Sequence, residues 1–162
     1  MTSLETIKKF LDEVPAILLG DSKIEFLKPI NLNRGQEGYR FDLNGKSLIT
    51  EKDGDWKENW LVVGSDSSGD PIIIDTSSPN LVVLSAPDAD TWYPIIIADS
   101  LDKFKEIISL FAIVSRHRTT SDDLDTDPIN EDERRSVLQA IKNLVPGSDI
   151  RYWELFLDHS LI

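Results

Sequence analysis

Two histidines and an absence of cysteine limit the nucleophilic and metal chemistry that this 162-residue chain can perform. Without a thiol, neither a disulfide nor a thiolate metal site can form. His117 lies between two arginines, with no obvious carboxylate to orient it, and His159 lies near the C-terminus. No G-x-S-x-G nucleophile elbow occurs. These patterns identify no catalytic residue.

Two segments have the composition of ligand-binding loops, but each lacks the residues that such a loop requires. In the glycine-containing segment 64–70, Asp70 occupies the position where a phosphate-binding loop needs lysine. The second segment has the aspartate spacing of a calcium loop, with Asp123, Asp125 and Asp127 at positions one, three and five. Pro128 and Arg134 replace its essential glycine and glutamate. We therefore predict a strand-to-strand turn at 64–70, and neither a cofactor nor a metal.

The net charge of −12, from 17 basic and 29 acidic residues, restricts the partners that the chain can bind. Nucleic acid and anionic membranes repel such a protein, whereas a basic partner or simple solubility agrees with it. The polar N-terminal segment does not have the pattern of a signal peptide. No apolar run approaches the roughly 20 residues of a membrane span. We predict a cytoplasmic protein that binds neither nucleic acid nor membrane.

Aromatic residues near acids are the remaining candidates for function. Trp56 lies in a polar loop, and Trp92 follows the acidic loop 87–91. Such residues suit a protein interface, where tryptophan is a frequent anchor, or else they cover the edge of a sheet core. The candidate partner-binding residues are Asp66, Asp70, Asp88, Asp90, Trp92 and Trp56. The acids of segment 122–133 are a candidate second contact.

Helical periodicity predicts four helices. The first follows a capping box formed by Thr2 and Glu5 and ends at Pro15. The second is capped by Asp99 or Ser100. The third has Asp127-Pro128 as its cap and first residue, and the fourth, short helix covers 150–157.

Alternating and apolar segments predict a sheet between the first two helices. Asn44-Gly45 separates two alternating runs and indicates a hairpin. Four apolar runs then follow at short intervals: Trp60–Val63, Ile72–Ile74, Leu81–Leu84 and Trp92–Ala98. Their connections are too short for crossover helices, so the sheet should be largely antiparallel. Pro94 predicts that the last strand is an edge strand or begins after the proline.

The order of helix, strands and helices predicts an α+β fold, with the helices packed on a largely antiparallel sheet. We divide the chain into an α+β domain at 1–118, an acidic linker at 119–133, and a C-terminal helical extension at 134–162 packed on the same domain. Seven acids and no base lie between residues 121 and 133, which favours a solvated linker.

The segment 60–111 contains a series of short sequence motifs at its predicted strands and turns. Trp60-Leu61 opens a strand, a glycine-bearing turn follows, the next strand ends on Asp75, and Ile97-Ala98-Asp99-Ser100 leads to Phe104. In this order and spacing the segment resembles the SUKH superfamily, which includes fungal cell-wall-assembly regulators and many bacterial immunity proteins. The loop before Trp92 lacks the His-Gly pair that many relatives carry.

The resemblance implies a non-catalytic protein-binding module, typically an antitoxin that blocks a cognate toxin. Many such toxins are nucleases with basic surfaces, which an acidic inhibitor would approach quickly. One alternative is a regulatory scaffold like the cell-wall regulators, in which the acidic linker matters most. Another is an enzyme or small-molecule binder, which needs a deep pocket. The sequence does not specify the oligomeric state. We expect the Asp75 carboxylate to stabilise a turn by accepting hydrogen bonds from backbone N–H groups.

Overall fold

A six-stranded antiparallel sheet forms the centre of the fold, with its strands in chain order. The computed structural model describes residues 1–87 and 89–158. The strands are β1 Ile17–Leu19, β2 Ser22–Phe26, β3 Trp60–Asp66, β4 Pro71–Asp75, β5 Val82–Ser85 and β6 Ile95–Ala98. The helices are α1 Ser3–Glu13, α2 Leu101–Val114, α3 Ser121–Thr126, α4 Glu131–Leu144 and α5 Ile150–Leu157. Two 3₁₀ turns, Pro29–Asn31 and Arg34–Gln36, follow β2. The predicted α+β class is confirmed.

The four predicted strands are confirmed, and two earlier strands, β1 and β2, extend the sheet. The strand β6 begins after Pro94 and lies at one edge, as the proline predicts. Three consecutive isoleucines in β4, Ile72 to Ile74, are completely buried. Successive strand residues point to opposite faces, so both faces of the sheet must be covered.

Local capping fixes the first two helices. In α1 the Thr2 hydroxyl accepts the Glu5 N–H at 3.1 Å, and the Glu5 carboxylate accepts the Thr2 N–H at 3.1 Å. This confirms the predicted capping box. Ser100, one of the two residues proposed for α2, forms its cap by accepting the Lys103 N–H at 3.1 Å.

The two faces of the sheet have different coverings. The helices pack on one face and enclose the main core, which includes Ile72 and Ile74. Ile73 points the other way, into a smaller cluster with Trp56, Val62, Leu84 and Ala86. Residues 37–59, which form turns and isolated bridges, supply part of this second cluster.

The predicted hairpin at Asn44-Gly45 forms as a very short one, without two regular strands. The structure has one antiparallel bridge, between Phe41 and Ser47, where the alternation predicts two strands. The Asp42 carboxylate accepts the N–H groups of both Asn44 and Lys46 at 2.9 Å, and the Asp42 N–H donates to the Lys46 carbonyl at 2.8 Å, so side-chain bonds add to a very short backbone ladder. Leu43 is 86% exposed, and a two-stranded ribbon without a buried face is only marginally stable.

The acidic segment is more ordered than a solvated linker. It contains the short helix α3, which is capped by Thr120 and buries Leu124. The cap of α4 is Asn130, and the predicted start at Asp127-Pro128 is wrong. Asp127 instead pairs with Arg118, which holds this carboxylate away from a capping position.

Gly64 is required where β3 approaches β2. A Cβ atom at this position would overlap the carbonyl oxygen of Glu25. We expect Gly64→Ala to lower the free energy of unfolding by about 1–3 kcal/mol, as overpacked sites do. Urea denaturation measures this loss. Gly147→Ala is the control, because its new Cβ would meet atoms no closer than 3.4 Å, and an equal loss there would contradict the explanation.

Candidate functional site

The turn between β3 and β4 joins two of the candidate acids. One Asp66 carboxylate oxygen accepts the N–H groups of Ser68 and Asp70, both at 3.0 Å. Gly69 adopts a φ of 86°, and its N–H donates to the Asp66 carbonyl at 3.0 Å. These bonds form an Asx turn that fixes Asp66 beside Asp70. The predicted strand-to-strand turn is confirmed.

Tyr152 on α5 contacts the other oxygen of the Asp66 carboxylate. Its hydroxyl donates to this oxygen at 2.9 Å. Burial, followed by the negative charge of Asp66, raises the pKa of the Tyr152 phenol well above its ordinary value. The phenol therefore stays protonated at neutral pH and acts as a donor. The sequence predicted only an apolar helix here, because the two residues are 86 positions apart.

The Asp66 carboxyl is partly withdrawn from water. Burial raises its pKa, and the hydrogen bonds from Tyr152 and the Asp70 N–H offset part of this effect. The negative charge of Asp70 adds to the increase. Since the folded state holds the proton more tightly than the unfolded state, the contribution of Asp66 to stability falls as the pH rises from below 3.8 through its raised pKa.

Tyr152→Phe tests this contact. Loss of the donor should raise the pKa of Asp66 further and lower stability by about 1–2 kcal/mol at neutral pH. The loss should shrink in acid, because the neutral carboxyl needs the donor less. Carboxyl-carbon NMR titration and urea denaturation between pH 3 and 7 measure both effects. A loss independent of pH would contradict a hydrogen bond to the carboxylate.

A cavity of about 170 Å³ lies between this turn and α5. It is lined by Ser22, Asp66, Ser67, Ser68, Asp70, Tyr152, Leu155 and Phe156. Ser22 is completely buried, and its hydroxyl has no hydrogen-bond partner among residues 1–87 and 89–158. The volume is below the 300–1,000 Å³ typical of small-molecule sites. We refer to this space as the Asp66 cavity.

Trp56 lies in the second core and is inaccessible to a partner. Its side chain is 1% exposed, and its indole N–H donates to the Trp60 carbonyl at 3.1 Å. Its ring centroid lies 5.1 Å from that of Tyr39 and 5.3 Å from that of Trp92. The interpretation of Trp56 as an exposed anchor is therefore wrong, because a polar loop folds its ring onto the sheet.

Trp92 is half-buried at the border of this aromatic cluster. Its backbone N–H donates to the Gly54 carbonyl at 2.7 Å, and this bond connects the β5–β6 connection to residues 37–59. The side chains of Trp92 and Asp66 thus lie on opposite faces of the sheet. Asp90 is exposed in the same connection, whereas Asp88 and His159 lie outside the described residues.

Antiparallel pairing brings several acidic connections to one end of the sheet. Ser65 pairs with Pro71 and Ser85 pairs with Ile95, so the β3–β4 and β5–β6 connections share this end. The β1–β2 turn lies there too, and its Gly20 contacts α3. We call this surface the acidic end, and its described acids are Asp21, Asp66, Asp70, Asp90, Asp122, Asp123 and Asp125. Arg116, after α2, is an exposed base nearby.

Asp75 holds a turn at the opposite end of the sheet, as the sequence predicts. Its carboxylate accepts the Ser77 N–H at 2.9 Å, the Ser77 hydroxyl at 2.6 Å and the Asn59 amide at 2.6 Å. Burial raises the pKa of Asp75, but these hydrogen bonds outweigh it and the pKa is lowered. This carboxylate has a structural role.

A depression of about 690 Å³ lies between the N-terminal ends of α1 and α2 and the C-terminal end of α4. Its Asp99 carboxylate accepts the Ser148 hydroxyl at 2.8 Å and so braces the α4–α5 connection. Within residues 1–87 and 89–158, no three acidic or histidine side chains are grouped to hold a metal ion.

The chain matches no family model, no curated protein and no solved structure in the three comparisons made. In the described part of the chain, no helix has the length and apolar composition needed to cross a membrane.

Proposed function

We propose that this protein is a non-catalytic binding module, an immunity protein that neutralises a basic toxin domain by direct contact in the cytoplasm. The observation that carries the proposal is the acidic end, where three strand connections and α3 gather seven acids. A toxin domain that handles phosphates presents a basic cleft. Complementary charge accelerates its encounter with the acidic end and fixes the orientation of the complex.

The charge of the acidic end belongs to ordered elements. An Asx turn fixes Asp66 and Asp70, and a capping box orders α3. Ordered acids lose less conformational entropy on binding than acids of a flexible tail. The resemblance of segment 60–111 to the SUKH superfamily gives the same class of partner.

The first experiment is co-expression with the product of the neighbouring gene, followed by co-purification and a rescue assay. We expect a stoichiometric complex and survival of cells that express the toxin. Absence of a complex, together with absence of rescue, would remove this function.

Reversing the charge of acids at the acidic end tests whether the partner binds there. The double variant Asp21→Lys with Asp90→Lys changes two exposed acids of the acidic end. We expect its association rate to fall by at least about tenfold at low salt and by less at high salt, because added ions screen exposed charges. Stopped-flow binding at several salt concentrations measures this dependence.

A matched control makes the same charge change at the opposite end of the sheet. It combines Glu58→Lys, just before β3, with Asp102→Lys, in the first turn of α2. Both acids are strongly exposed, with 81% and 94% of their side-chain surface accessible. Equal slowing in both pairs would indicate a general effect of net charge and would contradict docking at the acidic end.

The scaffold alternative assigns the main contact to the acidic segment. Deletion of 121–133 cannot test it cleanly, because Leu124 is buried and Arg118 binds Asp127 and Glu133. The double variant Asp122→Asn with Asp125→Asn removes two exposed charges from α3 without removing these contacts. We expect slower association with the same final complex, whereas loss of the complex would favour the scaffold.

A further inference from the structure

We propose that Asn44 is a site of spontaneous covalent modification, at which the side-chain amide of the folded protein is converted to an acid, giving aspartate and isoaspartate. Asparagine is one of the thermolabile residues of proteins. The inference is independent of the proposed function, since it concerns the chemistry of one exposed hairpin turn. Water is the co-reactant, and ammonia is the leaving group.

The reaction joins two neighbouring groups of the chain. The backbone nitrogen of Gly45, after losing its proton to hydroxide, attacks the side-chain amide carbon of Asn44. A new C–N bond closes a succinimide ring, the bond from this carbon to the amide nitrogen breaks, and ammonia leaves with a proton taken from water. Water then opens the ring at either carbonyl. One opening gives aspartate, and the other gives isoaspartate, in which the backbone continues through the side-chain carbon.

Gly45 leaves the attacking nitrogen accessible. Asn44 is the one asparagine of the sequence that precedes a glycine. A side chain on the following residue would shield the nitrogen, and glycine also allows the backbone rotation that closes the ring. The φ of Gly45 is 80°, and a Cβ atom built there would meet nothing within 4 Å apart from its chain neighbours. The space around this peptide bond is therefore open.

The hairpin turn is held by bonds between residues close in sequence. The Asp42 carboxylate accepts the N–H groups of Asn44 and Lys46 at 2.9 Å. The Gly45 N–H donates to the Asp42 carbonyl at 2.9 Å, so the attacking nitrogen must first leave this bond. Asn44 and Gly45 are exposed, and Leu43 is 86% exposed, so opening the tip of the turn uncovers little apolar surface. Such local opening requires less free energy than global unfolding.

Packing and hydrogen bonds restrict the comparable residues elsewhere. The Asn59 amide donates to Asp75 at 2.6 Å, and the Asn130 side chain caps α4. Asp53-Gly54 has the same following glycine and could form the same ring. Gly54, however, is buried, and a Cβ atom there would lie 3.1 Å from Thr91. The fold therefore favours Asn44 over these sites.

The direct test incubates the folded protein at mildly alkaline pH and follows each asparagine by peptide mapping with mass spectrometry. We expect the mass gain of an amide-to-acid conversion in the peptide that contains Asn44, with separate aspartate and isoaspartate products. The intact protein should gain a more acidic species on anion exchange. Conversion at Asn44 no faster than at the other asparagines, or a product without isoaspartate, would overturn the proposal.

Two variants test whether local opening of the turn controls the rate. Asp42→Ala removes the carboxylate that organises the turn, and the rate at Asn44 should rise by about threefold to tenfold, which corresponds to one lost hydrogen bond. Gly64→Ala weakens the whole fold and should leave the rate unchanged. An unchanged rate in Asp42→Ala, or a rate that rises with the unfolded fraction in Gly64→Ala, would overturn conversion in the folded state.

A matched variant places the same dipeptide in a packed turn. Asp53→Asn creates a second asparagine–glycine pair, whose glycine is buried. Conversion at position 53 should be at least about tenfold slower than at Asn44, because the packed backbone must open further before the ring can close. Equal rates at the two positions would show that the dipeptide alone sets the rate and would overturn the role given to the open turn.

Discussion

Trp56→Ala should lower the free energy of unfolding by about 3–5 kcal/mol, the range for removal of a large buried aromatic side chain. Trp56 is 1% exposed and packs against Tyr39, Trp60 and Trp92. Its indole N–H also donates to the Trp60 carbonyl. The substitution removes both the packing and this donor, so the second face of the sheet loses its main covering. Urea denaturation followed by circular dichroism measures the loss.

Trp92→Ala is the matched control for this prediction. The two rings are in contact, with centroids 5.3 Å apart, but Trp92 is only half-buried. We expect a loss of about 1–2 kcal/mol, because less apolar surface returns to water. If Trp56→Ala left stability unchanged and abolished partner binding, the ring would be an exposed anchor and its placement in the core would be contradicted.

The strands of the main sheet could be predicted because their signal is local. Isoleucine and valine runs separated by turn residues specify β3 to β6, and Pro94 marks where β6 cannot begin. The short strand β1 has only three residues, too few for an alternating pattern to be distinguished. Its place in the sheet depends on pairing with β2, as Ile17 does with Ile24.

The candidate site could be predicted only in part. The turn residues Asp66 and Asp70 are visible in the sequence, whereas Tyr152 joins them through the packing of α5. The polar residues that flank Trp56 agree with an exposed ring as well as with a buried one, and the fold places the ring in the core. A polar loop that lies flat on a sheet can still bury one large ring, and composition does not reveal this. Ser22 gives no signal in the sequence, because its hydroxyl is notable only for having no hydrogen-bond partner within residues 1–87 and 89–158.

The run of acids in the acidic segment is partly neutralised by a basic residue that lies outside the segment. Seven acids without a base suggest a solvated linker when read alone. Arg118, which precedes this segment, folds back and binds two of the acids, Asp127 and Glu133. Glu131 and Asp132 lie within 4.0 Å of arginines in α4. Much of the charge is therefore internally compensated, and α3 carries the acids available to a partner.

Arg118→Met should lower the free energy of unfolding by about 2 kcal/mol, because the arginine is buried while the carboxylates of Asp127 and Glu133 remain partly open to water. Only 8% of Arg118 is exposed. Its guanidinium donates to both Glu133 carboxylate oxygens, at 2.8 and 2.9 Å, and to the Asp127 carbonyl at 2.8 Å. It also donates to the Val114 carbonyl at 3.1 Å, so one side chain joins the end of α2 to the start of α4. Methionine fills similar space but leaves these acceptors unpaired.

Two further variants and one local measurement test the source of this stability. They distinguish the bidentate hydrogen bonds of the Arg118 guanidinium from its charge and from its volume. Arg118→Lys keeps the charge but cannot form the bidentate contact with Glu133, so we expect it to recover less than half of the loss. Arg116→Met removes an exposed cation two residues away and should change stability by no more than about 0.5 kcal/mol. Hydrogen exchange in Arg118→Met should accelerate most in α3 and in the first turn of α4, because both depend on this contact. Uniform acceleration across the sheet, or full recovery by lysine, would contradict a local clamp.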